Sequence, residues 1–360
     1  MKNSWKILGI SLVTYSLIAG LLIPLTTGIK TTSPRIANTG EPLALTLSNA
    51  YNARFESDKA NYKARIRLNE KGQALCATQV EVKNNQTMTL YFEVPAGQLP
   101  IQTLMDNGKK SPFPLLELLG ENNGYSSLES VIYFQQDSSA PMASAAAFCQ
   151  ATPYEQEEKG MTFPFLNILE ETIRNLYYHV PMWFAMMLLM AVSVVYSIRY
   201  LNEPQKAHFD RQATAFAGVG VLYGLIGIAT GAMWAKHTWG AYWSFDVKQN
   251  TTAVALLIYL AYFVLRSSFD DLDKRARVAA IYNIFAFATL IPLLYIVPRM
   301  FDSLHPGMGG NPAFSKLDLD NTMRMVFYPA IIGWILIGIW IANIASRIEA
   351  LYSHYLEQEV

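Results

Sequence analysis

Six apolar runs punctuate the chain, at about 7–27, 180–198, 213–232, 251–265, 278–297 and 326–345. A helix needs about 20 mostly apolar residues to cross a hydrocarbon layer of roughly 30 Å, and each run meets or approaches that length. The fourth is the shortest, so its helix is expected to begin earlier, inside the polar and aromatic stretch before it. Between the first and second runs the period of the pattern changes. "YKARIRL" (62–68) alternates Tyr62, Ala64, Ile66 and Leu68 with Lys63, Arg65 and Arg67, the period-two pattern of a half-buried strand. "TMTLYFEV" (87–94) repeats it with Met88, Leu90, Phe92 and Val94 after an Asn84-Asn85 turn. "LALTL" (43–47) and "VIYF" (131–134) are further strand candidates, and together these segments predict a small β-sandwich. The expected fold is therefore a polytopic α-helical membrane protein of about six transmembrane helices, with a mainly-β domain inserted between helices 1 and 2. Its expected divisions are an anchor helix (1–28), the β-rich domain (29–165), a five-helix membrane domain (166–347) and a tail (348–360).

Composition supports this and adds sidedness. Of 360 residues, 52% are hydrophobic and 16% charged, with a formal net charge of zero. No basic field points to nucleic acid, and the natural surroundings of the apolar runs are membrane lipid. Orientation follows from Lys and Arg near the ends of the runs. Lys2, Lys6, Arg199, Lys206, Arg211, Arg266, Lys274, Arg275, Arg277 and Arg347 collect on one side; Lys236, Lys248, Arg299, Lys316 and Arg324 lie on the other. This bias places both termini in the cytoplasm and the β-rich segment outside. Lys2 and Lys6 before an apolar run would also suit a signal peptide, but "LLIPLTTGIK" offers no small-x-small cleavage site, so a retained anchor is expected. The two cysteines, Cys76 and Cys149, both fall in the outer segment. They can pair in an oxidising compartment or stay as two buried thiols, and their spacing matches neither a CxxC redox pair, a zinc framework nor a CxxCH attachment motif.

Candidate chemistry gathers on the outer side. "HTWGAYWSFDVKQNTT" (237–252) crowds Trp239, Tyr242, Trp243 and Phe245 beside Asp246. Of five histidines, His208 and His354 lie in polar cytoplasmic sequence, whereas His179, His237 and His305 lie outside. His179 stands at the mouth of the second run and His305 just beyond the fifth, so the two imidazoles can converge over the membrane face with the aromatic stretch between them. Two neutral imidazoles on one axis beside a flat aromatic surface are what a six-coordinate haem iron accepts. Each feature alone has a plainer reading. Trp and Tyr at a span end form an interfacial belt, a single outer histidine can be a hydrogen-bonded surface residue, and Asp246 suits the N-cap of the fourth helix.

The combination resembles a known family. "WGAYWSFD" (239–246) resembles the tryptophan-rich WGxxWxxD signature of haem-handling proteins of cytochrome c biogenesis. "YYHVP" (177–181) and "SLHPG" (303–307) resemble the two outer histidine motifs of the CcmC type. The resemblance covers about 170–345 and, loosely, the first run. It implies a multi-pass protein of the bacterial inner membrane that transiently binds haem b at the periplasmic face, with His179 and His305 as axial ligands. It further implies that Trp239, Gly240, Tyr242, Trp243 and Asp246 hold the macrocycle. A CcmE-like haem chaperone would receive the haem, and the ABC transporter subunits CcmA and CcmB and the small helper CcmD would stand beside it. Such a protein transfers haem and is not itself an enzyme. Haem propionates need cationic partners; Arg299 and Arg324 are the candidates, with Lys236 and Lys248 behind them, although each also suits ordinary snorkelling.

The chain departs from the family pattern at Phe245, where another Trp is usual, at His237, which lies outside the motif, and in the 29–165 domain, where a short loop is usual. One rival is a cytochrome c synthase of the CcsA type, which usually has more spans and histidines within them. Another is a membrane-anchored β-domain receptor or scaffold, for which clustered outer histidines have no use. A metal transporter would need charged or histidine residues inside its spans as an ion path.

Overall fold

The computed structural model describes residues 3–51, 55–58, 61–104, 111–121, 123–150, 161–166, 168–305 and 319–358. They form two compact units, one of Ile23–Glu170 and one that joins the N-terminal 22 residues to the chain from Glu171 onward.

The first unit is built from strands β1 (Gly28–Ser33), β2 (Ile36–Asn38), β3 (Pro42–Tyr51), β4 (Lys63–Arg67), β5 (Gln73–Asn84), β6 (Thr87–Glu93), β7 (Leu115–Gly120), β8 (Gly124–Leu128), β9 (Tyr133–Gln135) and β10 (Cys149–Gln150). The alternation read in the sequence sets the pairing: Leu43, Leu45 and Leu47 of β3 lie opposite Phe92, Leu90 and Met88 of β6, all six buried in one core. In place of a two-sheet sandwich there is one sheet in the order β1-β3-β6-β5-β4-β7-β8, with β10 added to β5. The reason lies in β5. Its first half pairs with β4 and its second half with β6, and an irregularity between Ala77 and Gln79 marks the corner. The sheet nearly closes on itself, because the Thr27 hydroxyl donates to the Asn123 carbonyl (2.8 Å) and the Ser126 hydroxyl to the Thr27 carbonyl (3.0 Å). Of "VIYF", only Tyr133 and Phe134 enter a strand, β9, which pairs with β2 in a separate two-stranded sheet; Val131 and Ile132 are buried ahead of it. Arg65 departs from the polar-out pattern and is buried, because Glu117 sits directly opposite on β7 and accepts from its Nε at 2.5 Å. Cys76 and Cys149 do pair, tying β10 to β5 across 73 residues of sequence. Closing a loop of that length stabilises a domain by about 4 kcal/mol on the chain-entropy account.

The second unit holds α1 (Ser4–Leu22), α2 (Leu176–Asn202), α3 (Ala207–Trp239), α4 (Val247–Ser267), α5 (Leu272–Ile291) and α6 (Asn321–Gln358). These are six helices long and apolar enough to cross a membrane, one for each apolar run, and the chain is a multi-pass membrane protein. As expected, α4 starts before its apolar run, at Val247. Beyond Ile291, α5 continues as a π-helical turn at Pro292–Ile296 and a 3₁₀ turn at Val297–Met300. Each turn begins at or beside a proline, which has no N–H to continue the regular ladder. Where apolar helices meet in an apolar medium, small residues and buried hydrogen bonds do the joining. Asn283 of α5 donates to the Ser193 and Ser197 hydroxyls of α2 (2.7 and 2.8 Å). Arg266 of α4 grips both carboxylate oxygens of Asp210 on α3, at 2.7 and 2.5 Å. The α2–α3 pair is drawn close along Gly220, Gly224, Gly227 and Gly231, and this contact carries the first site residue.

Candidate functional site

His179 lies in the first turn of α2. The glycines of α3 bring the two helices so close that a Cβ at Gly231 would stand 2.6 Å from its Cε1, and one at Gly227 would stand 2.7 Å from the Trp183 ring. The absent side chains expose backbone, and the His179 Nδ1 lies 2.9 Å from the Gly227 carbonyl and 3.1 Å from the Thr230 hydroxyl. A carbonyl only accepts, so Nδ1 carries the proton. On the far edge of the ring, the Trp183 indole N–H donates to Nε2 at 3.2 Å. An indole only donates, so Nε2 carries a lone pair. These partners fix His179 as the neutral Nδ1–H tautomer.

His305 reaches the same state by another route. The turn Gly240–Asp246 joins α3 to α4, much shorter than the 237–252 stretch suggested, because α3 runs on through Trp239. Gly240 ends it in the left-handed conformation (φ 84°) that only glycine adopts without strain. Asp246 is the N-cap of α4 and accepts from the Lys248 backbone N–H at 2.9 Å. Its carboxylate is almost wholly buried, because it also takes the Ser303 hydroxyl (2.9 Å), the Leu304 N–H (2.8 Å) and Nδ1–H of His305 (2.9 Å). With Nδ1–H given to the carboxylate, Nε2 of His305 is again the basic nitrogen. Burial pushes the His305 imidazolium down, the Lys248 ammonium pushes it further, and Asp246 only partly opposes them, so the ring is neutral at pH 7. Burial opposes ionisation of Asp246, yet the Leu304 N–H, His305, Ser303 and the Lys248 N–H together hold its carboxyl below the usual range.

Both imidazoles lean on the last turns of α3. His179 meets the Trp234 ring edge-on at 6.0 Å, and His305 meets Trp239 at 4.8 Å. Five residues of helix separate those tryptophans, a rise of about 7.5 Å. The structure thus gathers His179, His305, Trp239, Gly240 and Asp246 at one end of the bundle. Trp243 is held nearby, donating from its indole to Asn250 (3.1 Å), while Gln249 accepts from the Ser244 N–H and Asn250 donates to the Phe245 carbonyl. Phe245 is 78% exposed and sits at φ 58°, a conformation that costs a non-glycine residue on the order of 1–2 kcal/mol. Tyr242 is exposed, with Lys236 5.7 Å from its ring, and His237 is exposed on α3. Arg299 donates to the Tyr295 carbonyl (2.9 Å) and Arg324 to Asn321 (3.2 Å), each within its own turn and neither onto an imidazole. Pro306, Gly307 and Lys316 lie outside the described residues. Sequence reasoning missed Trp183, Trp234, Gly227, Gly231, Thr230 and Ser303. The His179–Trp183 spacing of four and the glycines spaced four, three and four along α3 were the available signals.

The chain is similar to proteins of known name. The Heme exporter protein C of Haemophilus influenzae is 25% identical over 185 residues, covering 50% of this chain and 72% of that protein. The protein of the same name in Escherichia coli is 26% identical over 167 residues, 46% of this chain and 65% of the relative. The cytochrome c biogenesis protein CcsA of Pelargonium hortorum is 34% identical over 93 residues, 26% of this chain and 29% of that one. The family model described as Heme exporter protein C matches residues 164–360, more than half of the chain, and the chain belongs to this family, CcmC.

Proposed function

We propose that the protein binds haem b transiently at the periplasmic face of the bacterial inner membrane, with His179 and His305 as its two axial ligands, and presents it to a CcmE-like chaperone during cytochrome c maturation. The observation that carries this reading is the pair of fixed tautomers: both rings hold their proton at Nδ1 and present a basic Nε2. A neutral imidazole whose second nitrogen is hydrogen-bonded is the form that ligates metal. Two such rings suit an iron whose equatorial positions a macrocycle already fills. A bare ion asks for three or four protein donors, and among the described residues no group of three or more His, Cys, Asp or Glu is placed to supply them.

The remaining residues take their roles from this. Trp239, Tyr242 and Trp243 offer flat apolar surface beside the rings, and Gly240 and Asp246 hold the turn that carries it. Arg299 and Arg324 are long cations hydrogen-bonded within their own turns, and with Lys236 and Lys248 they are proposed for the propionates. The Lys and Arg bias supports the sidedness, as does the disulfide, which belongs in an oxidising compartment. CcmA, CcmB and CcmD are the proposed neighbours, on the strength of the relatives' name, haem exporter.

The similarity to CcsA over 93 residues favours a second reading, a synthase that joins haem to apocytochrome. Deleting the gene separates the two. Handover predicts that the chaperone stays free of covalent haem and c-type cytochromes fail to mature, with both defects restored by the wild-type protein and by neither His179→Ala nor His305→Ala. A fully loaded chaperone in the deletion strain would contradict handover and favour the synthase.

A further inference from the structure

The two imidazoles present the same tautomer but are held unequally. Nδ1–H of His305 points at a buried carboxylate that four donors fix in place, the Ser303 hydroxyl, the Leu304 and Lys248 N–H groups and His305 itself. A hydrogen bond to a carboxylate raises the basicity of the opposite ring nitrogen, and this carboxylate has no freedom to leave. Nδ1–H of His179 points instead at the neutral Gly227 carbonyl and the Thr230 hydroxyl. That is a weaker push on Nε2.

The greater difference lies at Nε2. On His179 this lone pair is taken by the Trp183 indole N–H at 3.2 Å, from one turn further along the same helix. The indole is seated against Gly227, where a Cβ would come within 2.7 Å of its ring, so the close approach of α3 holds Trp183 in place as well. An iron that binds His179 must take the electron pair that the indole N–H now holds. His305 meets Trp239 through a ring contact at 4.8 Å, and among the described residues its hydrogen bonds run to its Nδ1 and backbone N–H.

We propose that Trp183 is a positioning residue that makes the two ligands unequal: His305 is the resident ligand, and His179 is the conditional one, engaged last on loading and released first at handover. This rests on the bis-imidazole reading above. It supplies what a handover protein needs, one firm bond that retains the cargo and one weak bond that a competing histidine from a partner can replace.

The test uses the full-length protein in detergent, loaded with ferric haem and titrated with cyanide, which displaces the weaker axial ligand and shifts the Soret band. Trp183→Phe keeps the ring against Gly227 and removes the N–H. It should need about fivefold more cyanide than wild type, the net worth of roughly one hydrogen bond. His179→Ala should retain haem on one ligand with a high-spin spectrum, whereas His305→Ala should lose most of it on gel filtration. An unchanged or lower cyanide requirement in W183F overturns the proposal. Should that variant fail to fold, the alanine pair decides, and His305→Ala retaining haem as well as His179→Ala overturns it. If neither alanine variant alters the spectrum, it is the bis-imidazole site itself that fails.

Discussion

Asp246 serves two structures with one carboxylate. It caps α4 through the Lys248 N–H and anchors the 303–305 segment through Ser303, Leu304 and His305. Replacing it by Asn keeps the shape and removes the charge, so the bond to His305 loses its charge assistance, on the order of 1 kcal/mol or more. We expect Asp246→Asn to weaken haem retention by about 10–100-fold, the usual cost of losing a partner behind a metal-binding histidine. The pH response has a definite sign. His305 has a folded pKa below 6.5, so as pH falls from 6.5 to that depressed value the unfolded chain gains a proton that the folded chain refuses. The clamp therefore weakens across this window and is unaffected above it. Asp246 adds stability that is present above 3.8 and is lost as pH falls through its own, lower folded value. Thermal melts between pH 7.5 and 5 should show a decline in wild type that is smaller in His305→Gln, which keeps the buried neutral His179; an identical decline in both would contradict the assignment. The sequence showed His179, His305 and Asp246 because their spacing from the apolar runs places them at span ends. It did not show what each ring nitrogen meets, since that depends on how closely α2 lies on α3.

That closeness belongs to the elements. Helix α3 presents glycine to α2 at 220, 224, 227 and 231, and at Gly231 a methyl group would collide with an imidazole already held at both nitrogens. Overpacking of this kind costs about 1–3 kcal/mol. Gly231→Ala is therefore expected to displace His179 and to weaken haem binding while the bundle still folds. Gly218→Ala is the control, because a Cβ there meets only Phe263 at an ordinary 3.8 Å. Equal haem binding by both variants would show that the α2–α3 contact does not position His179 for haem. At this scale the sequence was most legible, since each apolar run became one helix and 43–47, 62–68 and 87–94 became paired strands. Among the features that escaped it are the corner in β5 and the burial of Arg65. Both arise from pairings between distant segments, Ala77 against Phe92 and Arg65 against Glu117, which local alternation cannot express.

For the whole molecule, the division into two units matters most. Residues Ile23–Glu170 have their own core, their own disulfide and a sheet that nearly closes, whereas the family match begins at 164. Every residue proposed to touch haem, from His179 to Arg324, lies in the helical unit. Two imidazoles of that unit are proposed to hold one iron. The most direct test is the absorption spectrum of the purified, haem-supplied protein, oxidised and reduced, beside His179→Ala and His305→Ala. A low-spin spectrum is expected in the wild type, turning high-spin or disappearing in both variants. A wild-type spectrum retained by both variants, or no haem bound by the wild type, would contradict it.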